Sequence, residues 1–174
     1  MSGGKALGSW SGMRKYLEKD MLAPSLRGRV RYGCAQFTGM DGCHIFEIRV
    51  DGRPVKRFSW ETVNSYFIDQ GYVKKEKPGS IPDYWADFWR LMERYPFSAR
   101  TEYTDSEFCE ALEAYRGQDI LASLASLNPI VSMLALLDRR VGKRSLEKYA
   151  EELDRRPAWL GWFYELRVRA EEKE

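Results

Sequence analysis

The spacing of hydrophobic and polar positions changes along the chain and predicts a helix, then strands, then helices. Near the N-terminus the apolar residues recur every three or four positions, which predicts an amphipathic helix: Trp10, Met13, Leu17 and Met21. Ser9 is placed to cap the start of this helix, and Pro24 is placed to end it.

From Val30 the apolar positions alternate with polar ones, which predicts strands. Asp51-Gly52 is a strong hairpin signal. A two-residue turn there sets Val50 opposite Arg53 and Phe46 opposite Arg57, and a four-residue turn at 39–42 sets Cys34 opposite Glu47. The pattern predicts a three-stranded antiparallel meander, followed by a short helix that begins after Ser59.

The chain after Pro82 has apolar spacings of three and four throughout, which predicts about six short helices. A capping box at Thr104 to Glu107 starts one of them, and Asn128-Pro129 starts another that is apolar nearly all round. We therefore predict an α+β fold, with an N-terminal helix and a three-stranded antiparallel meander followed by a compact helical bundle.

A charged segment rich in Pro and Gly divides the chain into two predicted parts. Residues 1–70 form the helix and β-meander, 71–82 form a linker, and 83–174 form the helical part. A chain of 174 residues is long enough for one domain or for two small subdomains. We expect the two parts to pack as one unit.

Composition adds mainly exclusions to this picture. The net charge is only +2, which argues against a dedicated nucleic-acid binder. It divides unevenly, as +6 over residues 1–60, −5 over 61–113 and +1 over 114–174. No apolar run approaches the ~18 residues of a membrane span, and the first residues lack a secretory pattern. We expect a cytoplasmic protein without a membrane segment.

Few residue patterns in the chain indicate catalysis. The phosphate-binding glycine motifs and the G-x-S-x-G elbow are absent from the sequence. There is one histidine, His44, and the three cysteines, Cys34, Cys43 and Cys109, form no C-x-x-C pair. We predict no catalytic residue, no metal site and no cofactor. A small enzyme that uses Cys and carboxylate chemistry stays open as an alternative.

The residues with the most functional information are those from Asp138 to Arg144, here called the basic corner. It contains Arg139, Arg140, Lys143 and Arg144 around one acid, Asp138. Cations at a helix C-terminus ordinarily stabilise the helix dipole and the free carbonyls. The functional interpretation is an anion- or partner-binding site in which Asp138 orients one guanidinium.

A second basic strip is predicted on the first strand, where Arg27, Arg29 and Arg31 precede Tyr32. Charge combined with ring stacking is typical of single-strand nucleic-acid binding. Several other aromatic residues fall on predicted inward faces and are assigned to the core: Trp85, Trp89, Trp159, Trp162 and Phe163. Any of these rings left exposed would instead indicate a protein interface.

Four segments together resemble a family of small uncharacterised bacterial proteins: Ser25–Tyr32, Val50–Gly52, Leu137–Arg144 and Phe163–Arg167. The resemblance implies a bacterial cytosolic protein and supplies no activity. Residues 128–146 also resemble a single HEAT-like helix pair, although stable solenoids need about three or more repeats.

We predict a non-enzymatic binding protein, with the basic corner and the basic strand as contact surfaces. Its expected partner is another protein or a second copy of the chain, in a role such as that of an immunity protein or a regulator. A nucleic-acid-binding module is the alternative that the nearly neutral net charge disfavours.

Overall fold

The computed structural model describes residues 8–36, 44–73 and 81–173 and confirms the α+β class. The N-terminal helix α1 (Trp10–Lys15) continues as a wider turn over Tyr16–Met21. The sheet and the helix after it are β1 (Val30–Gln36), β2 (His44–Val50), β3 (Arg53–Phe58) and α2 (Trp60–Asp69). The later helices are α3 (Ile81–Arg94), α4 (Asp105–Gly117), α5 (Ile120–Leu124), α6 (Pro129–Leu136), α7 (Lys143–Glu152) and α8 (Ala158–Glu171).

The helix starts follow the capping residues. The Ser9 hydroxyl accepts a hydrogen bond from the Gly12 N–H at 3.2 Å, and the Asn128 side chain accepts one from the Ile130 N–H at 3.0 Å. Thr104 and Glu107 form the reciprocal capping box at α4. These caps satisfy amide groups that a helix start otherwise leaves without acceptors.

The strands pair in the order β1-β2-β3, all antiparallel. Asp51 and Gly52 both have positive φ, of 51° and 81°, as a type I′ turn requires. Val50 lies opposite Arg53 as predicted, but Phe46 lies opposite Phe58, so the predicted pairing with Arg57 is wrong. A register shift at Ile48/Arg49 adds one residue to β3, and this shift turns Phe58, rather than Arg57, into the core.

The predicted register of the first two strands is also wrong by one residue. Cys34 lies opposite Phe46, and Gly33 lies opposite Glu47. This register buries Tyr32 beside Ile48 on the face that the helices cover, because a one-residue slip exchanges the two faces of a strand. The turn at 39–42 lies outside the described residues.

Buried side chains form two clusters. The larger joins the inner face of the sheet to α1, α4, α6 and α8, and every residue of α6 is buried, as its apolar sequence predicts. The smaller joins Val63 and Phe67 of α2 to Phe88 and Leu91 of α3. Both clusters include residues from before and after segment 71–82, and the division at that segment stays a prediction.

No helix among the described residues combines the length and the apolar character that crossing a membrane requires.

Candidate functional site

The basic corner is built around a buried acid. Asp138 follows α6, and its side chain is fully buried. It accepts hydrogen bonds from the Tyr115 hydroxyl, from the Arg140 backbone N–H at 2.7 Å and from the Arg140 guanidinium at 2.7 Å. The hydrogen bond to Asp138 is the largest cause of the raised pKa of Arg140. Asp138 orients a guanidinium as predicted, and this pair fixes the turn after α6.

A residue outside the basic corner holds the end of α6. Arg167 of α8 is buried and donates to the carbonyl oxygens of Leu136 and Asp138 at 2.9 and 2.8 Å, and to that of Val141 at 2.8 Å. Its Nε also donates to Glu171 at 2.7 Å. The carbonyls that the sequence assigned to cations of the basic corner are therefore satisfied by an arginine from a distant helix.

The three remaining cations of the basic corner, Arg139, Lys143 and Arg144, are exposed. Lys143 lines a cavity of about 440 Å³ between α7 and α8, where Glu147 and Glu171 are also present. The cavity therefore mixes both signs of charge, and Asp138, Arg139, Arg140 and Arg144 are not among its lining residues.

The basic strip that leads into β1, Arg27, Arg29 and Arg31, is largely neutralised by acids. Arg29 forms two hydrogen bonds with Asp51, at 3.0 and 2.8 Å, and these bonds lower the pKa of Asp51. Arg31 donates to Glu18 at 3.1 Å. Arg27 is exposed and lines a shallow cavity of about 330 Å³ that also contains Glu18 and Arg31. Tyr32 faces the core, so its ring is not available for stacking.

A cavity of about 620 Å³, which the sequence analysis missed, lies between β3 and α8; we call it the β3–α8 pocket. Its apolar wall consists of Pro54 and Val55 from β3 and of Trp159, Trp162 and Phe163 from α8. Phe163 is buried, but Trp162 is 47% exposed. The assignment of Trp162 to the core is therefore wrong.

Trp89 is the second ring wrongly assigned to the core, with 57% of its surface exposed on α3. Trp85 and Trp159 are half-buried. Apolar spacings of three and four placed all of these rings on inward faces, but α8 turns Phe163 inward and leaves the preceding Trp162 at the edge of that face. Two adjacent aromatic residues on one helix are a signal that one of them points away from the core.

Lys56 lines the β3–α8 pocket and is 9% exposed. Its Nζ donates to the Thr101 carbonyl oxygen and lies 3.5 Å from a Glu102 carboxylate oxygen. The Trp159 ring centroid lies 4.5 Å from Nζ and the Tyr103 centroid 5.4 Å from it, both within cation–π range. Burial lowers the pKa of Lys56, and Glu102 opposes that change.

Arg57 lines the β3–α8 pocket from the outer face of the sheet. Its Nε donates to Glu47 at 2.8 Å, and Arg49 donates to the other oxygen of the same carboxylate. Partial burial acts to raise the pKa of Glu47, but the hydrogen bonds from Arg57 and Arg49 outweigh it, and the pKa is lowered. One carboxylate therefore serves two guanidinium groups on this face.

The cysteines that the enzyme alternative needs lie against the core. Cys34 and Cys109 are both half-buried. Burial raises the pKa of both thiols, that of Cys109 to about 11, so both are protonated near neutral pH and are weak nucleophiles. Cys43 lies outside the described residues. His44, the candidate base, is exposed, and its backbone N–H donates to Asp105 at 3.1 Å.

Comparison with known proteins gives one finding. Residues 9–168 match the model of the SF0329 protein family, which is uncharacterised. No curated protein and no solved structure is significantly similar to the chain.

Proposed function

The chain belongs to the SF0329 protein family, and we propose that it is a non-enzymatic binding protein whose β3–α8 pocket holds a segment of another protein. The observation that carries the proposal is the exposure of Trp162 at the rim of a cavity that Arg57 also lines. Tryptophan and arginine dominate the binding energy of protein interfaces when they are set in a pocket.

The construction of the pocket also supports a binding role. The Trp159 indole N–H donates to the Tyr103 hydroxyl at 3.3 Å, and the Tyr103 hydroxyl donates to the Arg100 carbonyl at 2.9 Å. The inner wall is therefore fixed before a partner arrives, while Trp162 at the rim is exposed. A preformed wall lowers the ordering cost of association.

The setting that we propose for this function is the cytosol of a bacterium, in the role of an immunity protein or a regulator. The bacterial cytosol rests on the four sequence segments named above, and the role is one that a small binding protein of this kind could fill. The likeness of residues 128–146 to a HEAT-like pair stays a prediction, carried by a fully buried α6 followed by α7, of which only Leu146 and Tyr149 are buried.

Site-specific crosslinking tests the proposal. A photoreactive benzoyl-phenylalanine replaces Trp162, and in a matched protein it replaces Trp89, which is also an exposed helical tryptophan but does not line the pocket. In cells that naturally produce the protein, we expect light to form a discrete protein adduct from position 162 and not from position 89. Adducts formed equally from both positions, or from neither, contradict the proposal.

Nucleic-acid binding is the second candidate, because the outer face of the sheet exposes Arg31, Arg49 and Arg57. The same crosslinking residue at position 49 tests it. Nuclease-sensitive adducts at position 49, together with no protein adduct at position 162, would favour this candidate over a protein partner.

A further inference from the structure

The β3–α8 pocket has an excess of positive charge. Among the described residues, its charged lining groups are Lys56, Arg57 and Glu102. Glu102 neutralises Lys56 at 3.5 Å, whereas Arg57 shares Glu47 with Arg49. One guanidinium charge at the pocket is thus left without a full counter-charge, which complements an anionic occupant.

The donors of these two cations are only partly used. An ammonium group has three N–H donors, and the described acceptors of Lys56 are the Thr101 carbonyl and the Glu102 carboxylate. Arg57 donates to Glu47 through Nε, and its terminal nitrogens have no hydrogen-bond acceptor among the described residues. Free donors are therefore present on Arg57, whereas the Lys56 ammonium also lies over the Trp159 and Tyr103 rings.

The β3–α8 pocket also has an apolar lining. The Trp159 and Trp162 rings, together with Pro54 and Val55, face the same cavity as the two cations. A carboxylate alone would use only the cations, and an apolar side chain alone would use only the rings. A group that carries both uses the whole lining.

We infer that the β3–α8 pocket recognises an acidic segment of the partner protein in which a carboxylate stands beside an aromatic or large aliphatic side chain. The carboxylate accepts hydrogen bonds from the terminal nitrogens of Arg57, and the apolar group packs on Trp162 and Trp159. This inference rests on the proposed function and adds the chemistry of the partner to it.

A matched pair of small probes tests the inference on the full chain. N-acetyl-phenylalanine carries the carboxylate and the ring, whereas N-acetyl-phenylalanine amide carries the ring alone. Binding is followed by NMR through the Trp162 indole N–H, assigned with Trp162→Phe. We expect the acid to bind at least about fivefold more tightly than the amide, because charge-assisted hydrogen bonds are roughly twice as strong as neutral ones.

Two variants identify the residue that donates hydrogen bonds to the carboxylate. Arg57→Gln should reduce the preference for the acid to about twofold or less, because it removes the donor that lines the pocket. Arg49→Gln should keep the preference, since Arg49 also pairs with Glu47 but does not line the pocket. Near-UV circular dichroism establishes that both variants are folded.

Equal binding of the two probes, or binding of neither up to its solubility limit, overturns the inference. An equal loss in both variants also overturns it, because the preference then comes from the general charge of the sheet face. If crosslinking from position 162 still traps a protein in these cases, the proposed function stands without the carboxylate chemistry.

Discussion

The basic corner and the β3–α8 pocket both bring arginine, a carboxylate and aromatic rings together, but they use their charges in opposite ways. In the basic corner, Asp138 accepts from Arg140 and Tyr115 and is fully buried. In the β3–α8 pocket, Arg57 is 56% exposed and shares its carboxylate with a second arginine. A cluster of charges in a sequence does not show which of them the fold pairs internally and which it leaves exposed.

Arg167 supports the turn that contains the basic corner, and its replacement should have the largest effect on stability. Arg167→Met leaves the buried carbonyl oxygens of Leu136 and Val141 without a donor, whereas the Asp138 carbonyl keeps the Val141 N–H at 3.2 Å. We expect the free energy of unfolding to fall by about 3–5 kcal/mol. Urea denaturation measures this loss. Arg169→Met is the control, because Arg169 is an exposed arginine on the same helix, paired with Glu165, and should change stability by less than about 0.5 kcal/mol. Similar losses in both variants would show that the α6 carbonyls do not depend on Arg167.

Tyr115→Phe should have the next largest effect. It removes a hydrogen bond to the buried Asp138 carboxylate, and bonds to charged groups contribute about 1.5–3 kcal/mol. Tyr149→Phe is matched to it, because the Tyr149 hydroxyl pairs with the neutral Ser132 hydroxyl at 2.8 Å and should lose about 1 kcal/mol. A loss in Tyr115→Phe no greater than in Tyr149→Phe would contradict the charged character of this contact.

The stability that Tyr115 contributes should also depend on pH. Burial, and then the hydrogen bond to Asp138, raise the pKa of Tyr115, while an unfolded tyrosine ionises near pH 10. Above that pH the unfolded state binds fewer protons than the folded state, so the stability that Tyr115 contributes falls by up to about 1.4 kcal/mol per pH unit. The stability gap between wild type and Tyr115→Phe should be constant below about pH 10 and close above it.

Local signals were sufficient to predict the fold class and the helix starts. Ser9, Thr104 and Asn128 all cap the helices that their positions predict, because a cap depends on residues only two or three positions away. The strand register was not local. The extra residue in β3 is selected by the burial of Phe58 against Phe108, with ring centroids 4.6 Å apart, and that contact joins distant parts of the chain.

The contacts around the candidate site also depend on distant parts of the chain. Asp138 and Arg140 are neighbours in sequence, and their pairing was predictable, but Arg167 reaches this turn from α8. The β3–α8 pocket brings together Lys56 and Trp159, which are about a hundred residues apart in the sequence. Spacing along one helix could identify the rings of α8 but not the strand that faces them.

The smallest effect on stability is expected at the β3–α8 pocket. Its size tests whether Arg57 supports the fold or is left for a partner. Arg57→Gln and Arg49→Gln should each lower the free energy of unfolding by less than about 1 kcal/mol, since Glu47 keeps one guanidinium in either variant. The double variant should lose more than the sum of the two, because the half-buried Glu47 then has no cation. Urea denaturation of the three proteins measures this coupling. A loss above about 2 kcal/mol in Arg57→Gln alone would make Arg57 as structural as Arg167, and the distinction between the two regions would fail.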